Sequence, residues 1–142
     1  MAQEDKEQLL QDLCARLPYG VKFLRESWNY ECNQELSVIE VLEDIDKDGY
    51  INNTKVYTVE DIKPYLRPMS SMTEGEKEEY HNLCYEEERE EFEFGEWATK
   101  TYYHDTINSI DYLNSIHIDY RGLISMGLAI EVTEENNPYK LY

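Results

Sequence analysis

Residues 59–80 read VEDIKPYLRPMSSMTEGEKEEY, and this stretch joins two halves of the chain that follow different rules. Before it, apolar and polar residues alternate as in β-structure; after it, the chain turns glutamate-rich. Pro64 and Pro68 each lack an N–H and restrict the residue before them, so no continuous helix crosses the joint. Ser70, Ser71 and Thr73 then offer side-chain oxygens for capping. Thr73-x-x-Glu76 fits a capping box, with Ser71-x-x-Glu74 as the competing register. If the joint fixes where the following helix leaves the sheet, Tyr65, Leu66 and Met69 are expected to be buried.

Towards the N-terminus, Leu9, Leu10, Leu13, Cys14 and Leu17 fall on one apolar stripe of a helix over residues 4–17, which Pro18 and Gly20 end. Residues 21–28 alternate in polarity and residues 36–42 are rich in β-branched side chains, predicting two strands joined by a polar segment. Asp46-Lys47-Asp48-Gly49 is a turn signature, after which residues 50–59 resume an apolar pattern. Towards the C-terminus, a helix is predicted over residues 73–91, resting Tyr80, Leu83 and Cys84 on the core, with Gly95 as its breaker. A second helix over 97–117 turns Tyr103, Ile107, Ile110 and Leu113 inward. Residues 119–126 predict a helical turn closed by Gly127, residues 128–132 a returning strand, and 133–142 a flexible tail. The expected fold is a single α+β domain over residues 1–142. It has a small antiparallel sheet of three to four strands packed against the N-terminal helix and two later helices.

The formal net charge of −18 arises from 31 acidic and 13 basic side chains. Such a field repels phosphates, which argues against direct nucleic-acid binding and against an anionic membrane surface. With 41% hydrophobic and 13% aromatic residues the chain has the apolar surface to fold. No run approaches the roughly 18 apolar residues of a membrane span. Cys14, Cys32 and Cys84 are odd in number and at no metal-knuckle spacing. Together with an acidic N-terminus they predict free thiols in a reduced, cytoplasmic setting.

Asp44-Ile45-Asp46-Lys47-Asp48-Gly49-Tyr50-Ile51-Asn52 has the opening of a calcium-binding loop, in which alternate oxygens converge on the ion. Asp44, Asp46, Asp48 and Asn52 would be the ligands. The twelfth position, which needs a bidentate glutamate, is Lys55, so an acidic hairpin turn is the expected structure and no metal is assigned. Glu78-x-x-His81 and His81-x-x-Cys84 have ligand spacings but lack the second half of a site, whether drawn from Cys14, Cys32, His104 or His117. No phosphate-binding glycine loop, nucleophile elbow or zinc-protease signature occurs, so a non-enzymatic protein without a cofactor is expected.

The glutamate cluster is the exceptional feature. Glu74, Glu76, Glu78, Glu79, Glu86, Glu87, Glu88, Glu90, Glu91, Glu93 and Glu96 stand against Lys77 and Arg89, half of the net charge. On a helix these acids fall at about one per 3 Å of rise, close to the one phosphate per ~3.4 Å of a DNA strand. Such a face either only solubilises or docks on a basic protein. Thirteen tyrosines exceed the needs of a small core, and Tyr65, Tyr80, Tyr85, Tyr102, Tyr103 and Tyr112 flank the acidic segment. Tyrosine is enriched where proteins meet. The predicted contact surface is Glu79, Glu86, Glu87, Glu88, Glu90, Glu91, Tyr80 and Tyr85.

Three segments, LCARLPYGV at 13–21, DIKPYLRPMSSMTE at 61–74, and DYRGLI with MGLAIE at 119–131, resemble an uncharacterised family of small acidic proteins from phages and prophages of gut Bacteroidetes. The resemblance brings no activity with it. It implies a phage accessory protein acting in the cytoplasm of the infected bacterium; joined to the acidic surface, the expected action is contact with a protein of basic surface, inhibiting a host defence or nucleic-acid-binding factor. The alternatives are a calcium or small-ligand module built on the Asp44–Asn52 loop and a phage structural or assembly protein. A homo-oligomer is compatible with either.

Overall fold

The computed structural model describes residues 1–29, 34–53, 55–84, 86–103 and 106–140. Cys32, Tyr85 and His104 therefore lie outside the described residues. Helix α1 (Gln3–Arg16) buries Leu9 and Leu13 completely and ends in the 3-10 turn Leu17–Tyr19, with Gly20 at φ 67 as terminator. Its inward face is set slightly around from the expected stripe. Asp12 and Arg16 are fully buried, whereas Cys14 is exposed. The two charges take inward positions because they satisfy each other one helical turn apart.

Strands β1 (Lys22–Asn29) and β2 (Gln34–Val41) form an antiparallel pair with Phe23 opposite Glu40 and Arg25 opposite Val38. A short hairpin, β3 (Ile51–Asn52) with β4 (Val56–Tyr57), follows the Asp46–Gly49 turn. The joint itself supplies β5 (Ile62–Leu66), a central strand lying between β1 and β8 (Ile130–Glu131). β5 runs antiparallel to β1 and parallel to β8, giving the order β2-β1-β5-β8. Pro64 is tolerated inside this strand because it occupies the last position paired with β1, while pairing with β8 begins only at Tyr65. The α+β class and the small sheet agree with expectation; the placement of a proline-containing strand at the sheet centre was not anticipated.

The glutamate-rich half departs from its prediction. Helix α2 (Glu74–Cys84) stops before the densest acidic run, which instead forms β6 (Glu86–Glu93) paired with β7 (Glu96–Tyr103). The chain reverses at Phe94 and Gly95, with φ of 52 and 82, the left-handed pair of a two-residue hairpin turn. Two forces decide this. Along a helix, Glu86 would face Glu90, and Glu87 would face Glu91, like charges at i,i+4 that destabilise it. The partner segment supplies Trp97, Thr99, Thr101, Tyr102 and Tyr103, residues suited to strands. In the hairpin only Glu93 and Glu96 place two glutamates directly opposite.

Helix α3 (Thr106–Ser115) is correspondingly shorter than predicted. Leu113 is buried as expected, but Ile107 is 69% exposed and Ile110 is also on the surface, while Ser109 and Asn114 turn inward. The main core gathers Leu9, Leu13, Phe23, Ile51, Ile62, Leu66, Leu123 and Leu128 between α1 and the sheet. A second cluster, Met72, Leu113 and Ile118, lies under α2 and α3, with Tyr80 half-buried against it. Tyr65 and Leu66 are buried as predicted. Met69 is exposed at 43%, and Met72, three residues on, takes the inward place after the 3-10 turn Met69–Ser71. Gly127, at φ 75, closes the turn before β8 as expected. Among the described residues no helix is long and apolar enough to cross a membrane.

Candidate interaction surface

Where the acidic elements leave the fold is set by Arg67, just past β5. Its guanidinium binds the Glu76 carboxylate through two parallel hydrogen bonds of 2.8 and 2.7 Å and donates to Ser71 O at 3.0 Å. Glu76 also completes the capping box: Thr73 N–H donates to its Oε1 at 2.9 Å, and Glu76 N–H donates to Thr73 Oγ1 at 3.1 Å. The Thr73 register thus prevails over Ser71, and the same carboxylate reaches Arg67. That hydrogen bond holds the Glu76 carboxyl down at about 2. The Arg67 backbone meanwhile donates to His117 O and accepts from Asp119 N–H, both at 2.8 Å, so the segment after α3 is held by the same residue.

Beneath this joint lies a polar core. Arg16 donates to Asp12 through Nε at 2.7 Å and Nη2 at 3.1 Å, and through Nη2 to Ile118 O at 2.6 Å. Its guanidinium sits over the Tyr120 ring at 5.3 Å, and Arg121 approaches Asp12 Oδ1 at 3.5 Å. Burial pushes the Asp12 carboxyl up, opposed by the hydrogen bond and charge of Arg16. Asp119 accepts the Leu123 and Ile124 amides at 3.0 and 2.9 Å, fixing the turn before β8.

The tail after residue 133 is tied down over residues 133–140 instead of loose. Tyr139 O–H donates to Tyr65 O at 2.7 Å and accepts Lys22 N–H at 2.9 Å, while its ring stacks on His117 at 3.8 Å. Burial raises the Tyr139 hydroxyl and, with the nearby charges of Arg16, Arg67 and Lys22, lowers His117 to about 4. The three segments singled out in the sequence therefore converge: Arg16 in the first with Asp12 just before it, Tyr65 and Arg67 in the second, Asp119 to Arg121 in the third. Their buried polar side chains build the anchor.

That surface is divided between two elements. On α2, Glu78 and Glu79 are exposed and Tyr80 points back towards Met72 and Leu113. On β6, Glu88 and Glu90 are exposed and Glu91 is half-buried beside Lys100 at 3.4 Å; Lys100 also pairs with Glu93. Glu86 and Glu87 belong to the same strand, opposite Tyr103 and Tyr102. Among the described residues the two strands of the hairpin pack chiefly against each other. From residue 88 to residue 100 only Glu91 and Lys100 are half-buried, and the rest is exposed. Strand geometry also changes the acidic spacing: neighbours on one face, such as Glu88 and Glu90, lie about 6.6 Å apart, near twice the phosphate interval of a DNA strand.

Sequence inspection missed the hairpin's tip. Phe92 and Trp97 are paired in register and meet edge-to-face at 5.5 Å, and Phe94 caps the turn fully exposed. The signal was present as an aromatic-Gly pair at 94–95 between two alternating runs, masked there by the helix propensity of glutamate.

The Asp44–Asn52 loop is organised as a hairpin turn. Asp46 Oδ1 accepts the amides of Asp48 and Tyr50 at 2.9 and 3.0 Å, and Asn52 Nδ2 reaches Asp46 Oδ2 at 3.2 Å and Asp44 Oδ2 at 3.4 Å. These hydrogen bonds, that from Tyr50 foremost, lower the Asp46 carboxyl below its usual range. Gly49, at φ 83, presses on Leu10, where an added Cβ would meet Cδ2 at 3.1 Å. The turn is thus a buttress for α1, and its oxygens face its own amides. Among the described residues no group of three or more His, Cys, Asp or Glu side chains is placed to hold a metal ion. Comparisons of the chain with protein-family models, with curated proteins and with solved structures find no match.

Proposed function

We propose that this chain is a non-enzymatic phage accessory protein that works in the host cytoplasm by docking its acidic surface on a basic protein. The observation that carries this reading is the β6–β7 hairpin. It holds seven glutamates against Arg89 and Lys100, and its described side chains, from residue 88 to residue 100, take no place in either core cluster. A surface of this sign is repelled by phosphates and attracted to the cationic face with which a protein grips nucleic acid. Blocking such a face is the action that best fits the charge. The Arg67–Glu76 joint fixes where α2 leaves the sheet, so its acidic face belongs to the fold instead of to a solvated tail.

The test is affinity capture from host lysate with the intact chain and with Glu86, Glu87, Glu88, Glu90 and Glu91 all changed to lysine. A partner of high isoelectric point, identified by mass spectrometry, is expected with the first and absent with the second. Recovery unchanged by the reversal would sink the proposal.

A further inference from the structure

The two faces of the hairpin are unequal. In the antiparallel register, residues directly opposite share a face. Phe92 with Trp97, Glu90 with Thr99 and Glu88 with Thr101 therefore lie on one side; Glu91 with Ala98, Arg89 with Lys100 and Glu93 with Glu96 lie on the other. Both cations of the hairpin fall on the second side, where Lys100 already pairs with Glu91 and Glu93. Among the described residues the first side carries glutamates with no cation of the hairpin beside them, and it ends in an aromatic pair. Phe94 extends it at the turn.

Resting on the acidic-docking reading above, we infer that this first face is the contact face, and that its tip seats in an apolar pocket bordered by arginine or lysine on the partner protein. Exposures of 59%, 103% and 71% for Phe92, Phe94 and Trp97 leave roughly 350–580 Å² of ring surface in water, from about 150–250 Å² per aromatic side chain. That is about half of the ~800 Å² that one partner contributes to a standard interface. The stem from Glu88 to Glu90 and Thr99 supplies the remainder. Occupation by a second copy is opposed by charge, since the same uncompensated glutamates would face each other. A cationic rim matches both parts: it neutralises Glu88 and Glu90, and an arginine laid over Trp97 gains the ring's negative face.

The placement of Phe94 favours a role outside the fold. A left-handed turn position prefers Asn, Asp or Gly, and a bulky side chain there is a conformational burden. Here the ring touches solvent alone. Asparagine at 94 should therefore keep or improve the hairpin while removing the tip, which separates folding from binding.

The experiment uses the full chain and three dye-labelled peptides read by fluorescence anisotropy: an amphipathic helix of leucine and eight lysines, octalysine, and the same amphipathic helix with glutamate in place of lysine. The lysine–leucine peptide is expected to bind at least ten-fold more tightly than octalysine, and the glutamate peptide not at all. Phe94→Asn, checked by circular dichroism, should erase that advantage and leave octalysine binding unchanged; the double variant Glu88→Gln, Glu90→Gln should weaken both cationic peptides. Equal affinity for the two cationic peptides, or an advantage that survives in Phe94→Asn, overturns the pocket-seating tip while the acidic reading stands. Failure of both cationic peptides to bind overturns the acidic reading and this one with it. Binding of the glutamate peptide, or a concentration-dependent dimer abolished by Phe94→Asn, overturns the cationic rim.

Discussion

Changing Asp12 to asparagine keeps the shape of the side chain and removes one charge from the pair at the bottom of the fold. Arg16 and Asp12 are both fully buried, and the guanidinium donates two hydrogen bonds to Asp12 and one to Ile118 O. After the change, Arg16 keeps Ile118 O, the Tyr120 ring and one amide oxygen, and a full positive charge stays out of water without the carboxylate it is bonded to, while Arg121 loses the same partner. Leaving one member of a buried pair in this state costs about 3–5 kcal/mol, a large part of the ~5–15 kcal/mol that holds a domain of this size together. The melting temperature should fall by roughly 10–20 °C. Urea unfolding followed by circular dichroism reads the same loss as a shift of the midpoint at unchanged slope. The double variant Asp12→Leu, Arg16→Met removes both charges and should recover more than half of the loss, because the cost lies in the orphaned charge. An Asp12→Asn protein within about 1 kcal/mol of the wild type, or a double variant as unstable as the two single ones combined, would refute a charge pair sealed from water.

Four further outcomes follow from other contacts. His117 is held at about 4 in the folded chain, below its ordinary value of 6.5, so stability should decline as pH falls from 6.5 towards 4; His117→Phe keeps the ring against Tyr139 and should flatten that stretch of a stability–pH curve. Glu76 is depressed to about 2, so its contribution is present above pH 4.5 and is lost as pH falls from there to 2, a loss that Glu76→Gln should remove. Tyr139→Phe strands Lys22 N–H and Tyr65 O inside the sheet and should cost about 1–3 kcal/mol in urea unfolding, with faster hydrogen exchange at Lys22. Gly49→Ala must hold an L side chain at φ 83 against Leu10 and should cost about 1–2 kcal/mol; no change in the urea midpoint would remove the turn as a buttress.

Local chemistry made much of the first half legible from sequence. The apolar spacing of Leu9 and Leu13, the Pro18 and Gly20 stop, the Asp46–Gly49 turn and the Thr73–Glu76 capping box each act within a few residues, and each is found where it was expected. The same local logic failed where two preferences competed over a longer distance. Glutamate favours a helix residue by residue, but the strand partner that captures Glu86–Glu93 is Glu96–Tyr103, across a turn whose Phe94 gives no usual turn signal.

The sequence by itself determined the class of the protein, its charge and the Thr73–Glu76 cap, because these depend on composition and near neighbours. Tertiary structure alone decided that Arg16 reaches Ile118 O beneath Tyr120, that Tyr139 closes over Tyr65, and that the acidic run divides into one face with cations and one without. Those are contacts between residues far apart in the chain or on opposite strands, and their energy exists only once folding has brought the partners together and removed water from between them.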